Sequence, residues 1–167
     1  FIVIYYKKMY YNTLIKTQGE FIMKLYIEEK VVNIPADIAW KALKEMNVWL
    51  PKLSTNKGVD YDDDGVFFKQ GRKYKVTSKE GVVMDSEIYR VDEANMEIEI
   101  HAEHKPLKSI LKCRVIDLGN ETCKLMRTQG YPGWFGVIFT TFWGKRESGE
   151  TAEYLDVWED YAKTLLN

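Results

Sequence analysis

Two histidines, His101 and His104, stand in "EIEIHAEHKP". A histidine titrates near neutrality, so either ring could pass a proton in a reaction. In a strand through residues 96–104, alternation puts Met96, Ile98, Ile100, Ala102 and His104 on one face, and Glu97, Glu99, His101 and Glu103 on the other. The first face is apolar, so His104 is the candidate catalytic or ligand-orienting residue at its end; it also reads simply as the end of a strand at a rim. His101 belongs to a charged, solvated face. The preceding strand carries Asp85 and Glu87, and their direction depends on register. Pairing Val91 with Met96 would turn both acids toward Ile98 and Ile100. A shift of one residue would instead turn Met84, Ser86 and Ile88 inward, because side chains alternate. This second register gives the cleaner apolar face, although it sets Glu87 opposite Glu99. A third cluster, "DYDDDGVFFKQG" (60–71), places Asp60, Asp62, Asp64 and Gly65 at the first, third, fifth and sixth positions of a calcium loop. Its twelfth position is Gly71 where a bidentate Glu is needed, and helical flanks are missing, so an acidic turn is expected rather than a metal site.

Other chemistry has little to stand on. The sequence shows no Ser–His–Asp order, no Gly-rich phosphate loop and no His/Cys cluster with metal-ligand spacing. No cofactor is implied. Cys113 and Cys123 lack CxxC spacing and read as reduced, buried, packing thiols. A formal net charge of −1 argues against nucleic acid, which selects a basic face. With 46% hydrophobic and 29% charged residues, 167 residues suffice for one domain with a real core, and a cytoplasmic protein is expected.

These residues need elements to position them. "KLYIEEKVVNI" (24–34) reads as a strand stopped by Pro35, and "PADIAWKALKEM" as a helix with Pro at its first position. "NVWLPKL" continues as a second short helix broken at Pro51. Five period-two segments follow, at 72–78, 82–91, 96–104, 107–117 and 122–129, joined by short turn-like links. Such links imply an antiparallel meander. The closing "SGETAEYLDVWEDYAKTLLN" carries an apolar stripe from Tyr154 through Trp158 to Leu166, with Ser148 or Thr151 as its N-cap. The regular pattern begins at Met23, so residues 1–22 read either as sequence upstream of a start at Met23 or as an extension adding a strand or short helix. The first reading is preferred, and 23–167 is taken as the domain.

The order of these elements, with "NIPADIAWKAL" (33–43), "WLPKL" (49–53), "GRKYKV" (71–76), "GNETCKL" (119–125) and the closing helix, resembles the START-like or SRPBCC superfamily. That superfamily includes polyketide cyclase/dehydrase-like and pollen-allergen-like proteins. The resemblance implies an α+β helix-grip fold: a curved antiparallel sheet wrapped around a long C-terminal helix, with two short helices after the first strand. It further implies an apolar cavity between sheet and helix that binds, and in cyclase- or dehydratase-like members transforms, a lipid or polyketide-like molecule. From the sheet, Tyr74, Met84, Ile88, Ile98, Ile100 and His104 would face such a ligand. From the helices, Trp40, Trp49, Tyr154 and Trp158 would do so.

One segment remains. "GYPGWFGVIFTTFWGK" (130–145) holds six aromatic residues and no charge before Lys145. It is too short to span a bilayer, which takes about 20 apolar residues, so no stable membrane insertion is expected. It also contains more glycine than an ordinary core helix. Three roles are open: core filling, a cavity wall and lid hinged on its glycines, or a surface patch for a partner. In the lid role Trp134, Phe135, Phe139 and Trp143 line the ligand site. Outward-pointing Trp134, Phe135 and Trp143 would instead suit a protein-interaction module like the Hsp90-cochaperone-like branch of the superfamily.

Overall fold

The computed structural model describes residues 13–16, 22–62 and 64–166. Strand β1 (Thr13–Lys16) pairs antiparallel with β2 (Ile22–Val32), which stops short of Pro35 because proline can neither donate to the ladder nor hold strand geometry on both sides. Pro35 then precedes helix α1 (Ala36–Lys44), which runs into α2 (Met46–Trp49) and a single 3-10 turn at Leu50–Lys52 holding Pro51. Strands β3 (Asn56–Asp60), β4 (Lys73–Ser78), β5 (Val83–Asp92), β6 (Glu97–His104), β7 (Leu107–Gly119) and β8 (Thr122–Pro132) follow, and helix α3 (Gly133–Thr164) closes the described chain. The sheet has the order β1-β2-β8-β7-β6-β5-β4-β3, with every neighbour antiparallel. Strands β3 to β8 form a meander, with short links from β4 onward and the longer 61–72 segment before it, and β2 pairs with β8, so the curved sheet surrounds α3. This is the α+β architecture expected from the sequence.

One end of the grip is solid. Trp49 and Trp158 are fully buried and stacked, with centroids 6.5 Å apart and planes at 4°. Tyr154 meets the Trp49 ring edge-on at 4.9 Å. Each indole N–H donates to a carbonyl of α1, Trp49 to Ala42 at 2.8 Å and Trp158 to Ala39 at 2.9 Å. Large amphipathic rings can be buried this way because their one polar group is satisfied. Trp40 donates at 2.8 Å to Glu93 and packs edge-on against Phe68.

Three sequence expectations are corrected here. The terminal helix does not begin at a cap near residue 148 but at Gly133, so most of the glycine-rich segment is helical. Thr151 lies inside this helix, 1% exposed, and Arg127 donates to its hydroxyl; the Ser148 side chain lies outside the described residues. Tertiary packing outweighs the helix cost of about 1 kcal/mol per glycine. Gly133 turns the chain at φ +82°, and a Cβ at Gly136 would stand 2.4 Å from the Tyr131 carbonyl oxygen, so the glycines let α3 press against the end of β8. Second, β3 was not anticipated, because "NKGVD" has neither alternation nor β-branched density. Third, Met96 is not in a strand but in the β5–β6 turn, at φ +49°. The hairpin takes the register with Ser86 and Ile88 inward: Ser86 pairs with Ala102 and Ile88 with Ile100. Glu87 stands opposite His101 rather than Glu99, and an irregularity between Ile88 and Arg90 separates this pairing from that of Val91 with Ile98. Among the described residues, no helix is long and apolar enough to cross a membrane.

Candidate functional site

The other end of the grip is open. A cavity of about 780 Å³ lies there, and its described lining has a regular pattern. It consists of three consecutive residues from each of five strand segments: 60–62, 73–75, 85–87, 101–103 and 108–110, with Pro132 at the end of β8. The central residues are Tyr61, Tyr74, Ser86, Ala102 and Ser109. Register explains the pattern, because Tyr74 pairs with Ser86, Ser86 with Ala102 and Ala102 with Ser109. Paired residues share a face, so these four form one row across the concave side. On β4 to β7 the residues flanking them alternate to the other face of the sheet.

Side-chain size along the rows accounts for the cavity. The next row toward the packed end carries Ile88, Ile100 and Leu111, and the one after that Val91, Ile98 and Cys113. Those rows reach the helix and fill the space: Ile88 and Ile98 are fully buried and Ile100 is 2% exposed. Ser86, Ala102 and Ser109 are too short to do so, and the sheet is left concave above them.

The floor of the cavity is polar but neutral. Tyr74, Ser86 and Ser109 are 5%, 7% and 4% exposed. Tyr74 and Ser86 share a hydrogen bond. Burial, helped by nearby Cys113, raises the Tyr74 phenol well above its ordinary range despite the Ser86 bond, so it stays protonated. Asp60 and Asp62 border the mouth, and on the opposite face of the sheet Lys75 is 4.0 Å from Asp85. The residues 60–71 turn is an anchored loop. Arg72, 5% exposed, donates to the Asp62 and Phe67 carbonyls at 2.9 and 3.2 Å and also binds Asp64 and the Val66 carbonyl. Lys69 and Arg72 hold the Asp64 carboxyl far below the usual carboxylate range. Asn47 reaches the Tyr61 hydroxyl at 3.2 Å and ties this side of the mouth to α2.

The residues singled out from sequence are distributed unevenly around this cavity. Tyr74 lines it. Ile88, Ile98 and Ile100 lie in the filled rows beside it, and Met84 is half-buried one step beyond Ser86 on β5. Trp40, Trp49, Tyr154 and Trp158 are buried in the packed end. His104 is exposed where β6 ends, its Nδ1 2.9 Å from the Val83 carbonyl oxygen. His101 lies on the convex face, stacked on Tyr89 at 4.1 Å with Nε2 2.7 Å from Glu99. Trp134 and Phe135 are 67% and 43% exposed with their rings in mutual contact, because the first turn of α3 projects past the end of the sheet. Phe139 turns back onto Tyr131 at 5.1 Å. The Trp143 side chain lies outside the described residues. Ser86 and Ser109 carried no local signal in the sequence; only the registers of two hairpins align them, through Ala102.

A second polar group is buried deeper. Arg127, 9% exposed, donates to Gln129 at 2.8 Å and to Thr151, and its guanidinium lies 4.7 Å from the Tyr154 ring centroid. Glu28 is its cross-strand neighbour. Cys113 donates weakly to the Tyr154 hydroxyl at 3.6 Å, and burial pushes its thiol up to about 11.

No family model matches the chain, and no curated protein matches it in sequence. Solved structures do match in shape. Norcoclaurine synthase from Thalictrum flavum, in complex with dopamine and hydroxybenzaldehyde, superposes with a TM-score of 0.68 at 16% identity, covering 92% of this chain and 95% of the synthase. The Zhui aromatase/cyclase from a Streptomyces species gives 0.71 at 15% identity over 87% of this chain and 96% of its own. Ara h 8.0201 gives 0.60 at 17% identity over 85% and 99%. At such identities the likeness is one of architecture alone. A curved antiparallel sheet around a long closing helix, shared with these three over nearly their whole lengths, gives the chain the helix-grip fold of START-like (SRPBCC) proteins.

Proposed function

We propose that the protein binds a small organic molecule with an apolar body in the cavity above Ser86, Ala102 and Ser109. The observation that carries this reading is the in-register row of small residues, which opens about 780 Å³ beside an otherwise filled interior. A concave volume of several hundred Å³ with a few converging polar groups is a usual form of a small-molecule site. Two superposed proteins support it by kind: one was solved with dopamine and hydroxybenzaldehyde, and another is an aromatase/cyclase. The reading is one of binding, with lipid and polyketide-like molecules as the classes the fold suggests.

The test is to fill the row. Ala102→Leu adds a branched side chain above the floor, where there is space for it. Wild-type protein should bind Nile red saturably with a blue-shifted emission. The variant should bind at least about tenfold more weakly, the scale of a bulky side chain occupying a ligand's place, and melt within a few degrees of wild type. Undiminished Nile red binding in a folded variant would place the ligand elsewhere and overturn the reading.

A second reading rests on a separate observation, the outward rings of Trp134 and Phe135 beside half-exposed Ile138. Aromatic anchors on a surface suit a protein partner, as in the Hsp90-cochaperone-like branch. Titration against purified Hsp90 by calorimetry tests it: binding lost in Trp134→Ala would support this role, and no heat of binding would exclude that partner.

A further inference from the structure

We propose that the floor hydroxyls form a subsite for an uncharged oxygen, a phenol, alcohol or carbonyl, on the apolar body of the ligand, with Ser109 as its principal contact. The inference rests on the cavity reading above and specifies what the cavity selects. Ser109 is 4% exposed and lines the cavity, so a molecule seated on the floor lies against its side chain. A ligand that covers this hydroxyl without supplying a partner leaves it unsatisfied, whereas one that carries an oxygen can bond to it. Tyr74 and Ser86 hold the other side of the same row and already share one bond, which leaves the couple with further donor and acceptor capacity. Between them Ala102 presents only a methyl group. Two strand spacings separate Ser86 from Ser109, about 10 Å, so a flat ring system resting on Ala102 reaches Ser109 at one edge and the Tyr74–Ser86 couple at the other.

The charge of the floor sets the class. The inward side chains of the row, Tyr74, Ser86, Ala102 and Ser109, include no cation. Lys73, Lys75 and Lys108 come from the flanking positions and are exposed on the opposite face. Arg127 lies two rows away and is engaged by Thr151, Gln129 and the Tyr154 ring. Among the described residues a carboxylate on the floor would be desolvated without a counter-charge, a far larger cost than burying a neutral hydroxyl. An apolar ligand lacking oxygen would leave the Ser109 hydroxyl unpaired. Both are disfavoured relative to a neutral oxygenated ligand, as in sites that read a substrate hydroxyl.

Equilibrium dialysis of the full chain with naphthalene, naphthol and naphthoate at neutral pH tests this. Wild type should bind naphthol tightest and naphthoate weakest. Ser109→Ala should weaken naphthol about three- to tenfold, the range of one neutral hydrogen bond, and leave naphthalene unchanged. Tyr74→Phe should weaken naphthol by a smaller factor with the same indifference to naphthalene. The near-isosteric Ser109→Ala keeps the test sound if Tyr74→Phe folds poorly. Equal responses of naphthol and naphthalene to Ser109→Ala would overturn the subsite, while naphthalene binding that falls in Ala102→Leu would still uphold the cavity. Naphthoate binding tightest would also overturn it and direct attention to Arg127. If neither these probes nor Nile red bind, the cavity reading fails and this inference fails with it.

Discussion

Replacing Gly136 with alanine sets two effects against each other on one helix. Helix propensity alone favours the change by about 1 kcal/mol. Contact opposes it: the added Cβ would lie 2.4 Å from the Tyr131 carbonyl oxygen, 2.7 Å from its carbonyl carbon and 2.8 Å from its Cβ. The first distance falls nearly 1 Å short of an ordinary C···O contact of about 3.3 Å. The obstacle is backbone rather than a flexible side-chain end, so α3 or the end of β8 must move. Overpacking costs about 1–3 kcal/mol, and a backbone collision belongs in the upper part of that range. The net loss is then about 1–2 kcal/mol, a fall in Tm of roughly 2–8 °C for a domain of this size. Gly149 is the internal control. It lies on the same helix with nothing within 4 Å of its added Cβ, so Gly149→Ala should raise Tm by roughly 2–4 °C. Calorimetry of both variants isolates the contact, because propensity cancels between them. If Gly136→Ala is as stabilising as Gly149→Ala, α3 does not press on Tyr131 and the packing of its first turns is wrong.

Trp158→Ala should destabilise by about 3–5 kcal/mol, since the ring is fully buried, stacked on Trp49 and bonded to Ala39; a loss below about 1 kcal/mol in urea would refute its central place. Both thiols should resist alkylation in native protein at neutral pH, because burial pushes Cys113 up to about 11 and Cys123 up to about 12; labelling that keeps pace with that of unfolded chain would contradict this. Asp64 has a folded pKa below its unfolded value, chiefly through Lys69 and then Arg72. Its contribution to stability is therefore present above about pH 4 and lost as pH falls. Asp64→Asn should flatten the acid limb of a Tm-against-pH curve, and an unchanged limb would show the loop latch to be unimportant. Deleting residues 1–22 should leave one cooperative melt, because β2 keeps its long pairing with β8 from Met23 onward; loss of cooperativity would make β1 integral.

How far the sequence could be read depends on how local each signal was. Alternation such as Ile98–Ile100, and the stripe from Tyr154 through Trp158, are properties of one element, and both lie in elements of the expected kind, β6 and the C-terminal half of α3. The glycine-rich start of α3 could not be read this way. It packs against β8 through the close approach of Gly136 to Tyr131, a tertiary contact that no window on the helix alone can register. The cavity is a stronger instance. Ser86, Ala102 and Ser109 are unremarkable in their own strands, where a small residue on an apolar face reads as a minor weakness. Two hairpin registers, β5–β6 and β6–β7, must be fixed before they fall into one row, and the irregularity after Ile88 lies in the first of them. Without it the β5 partners of Ile98 and Glu97 would shift by one and exchange faces. The aromatic residues drew attention because rings are conspicuous, yet most of them fill space. What a grip of this kind can hold is set by where its side chains are short, and that is a property of pairing rather than of any single segment.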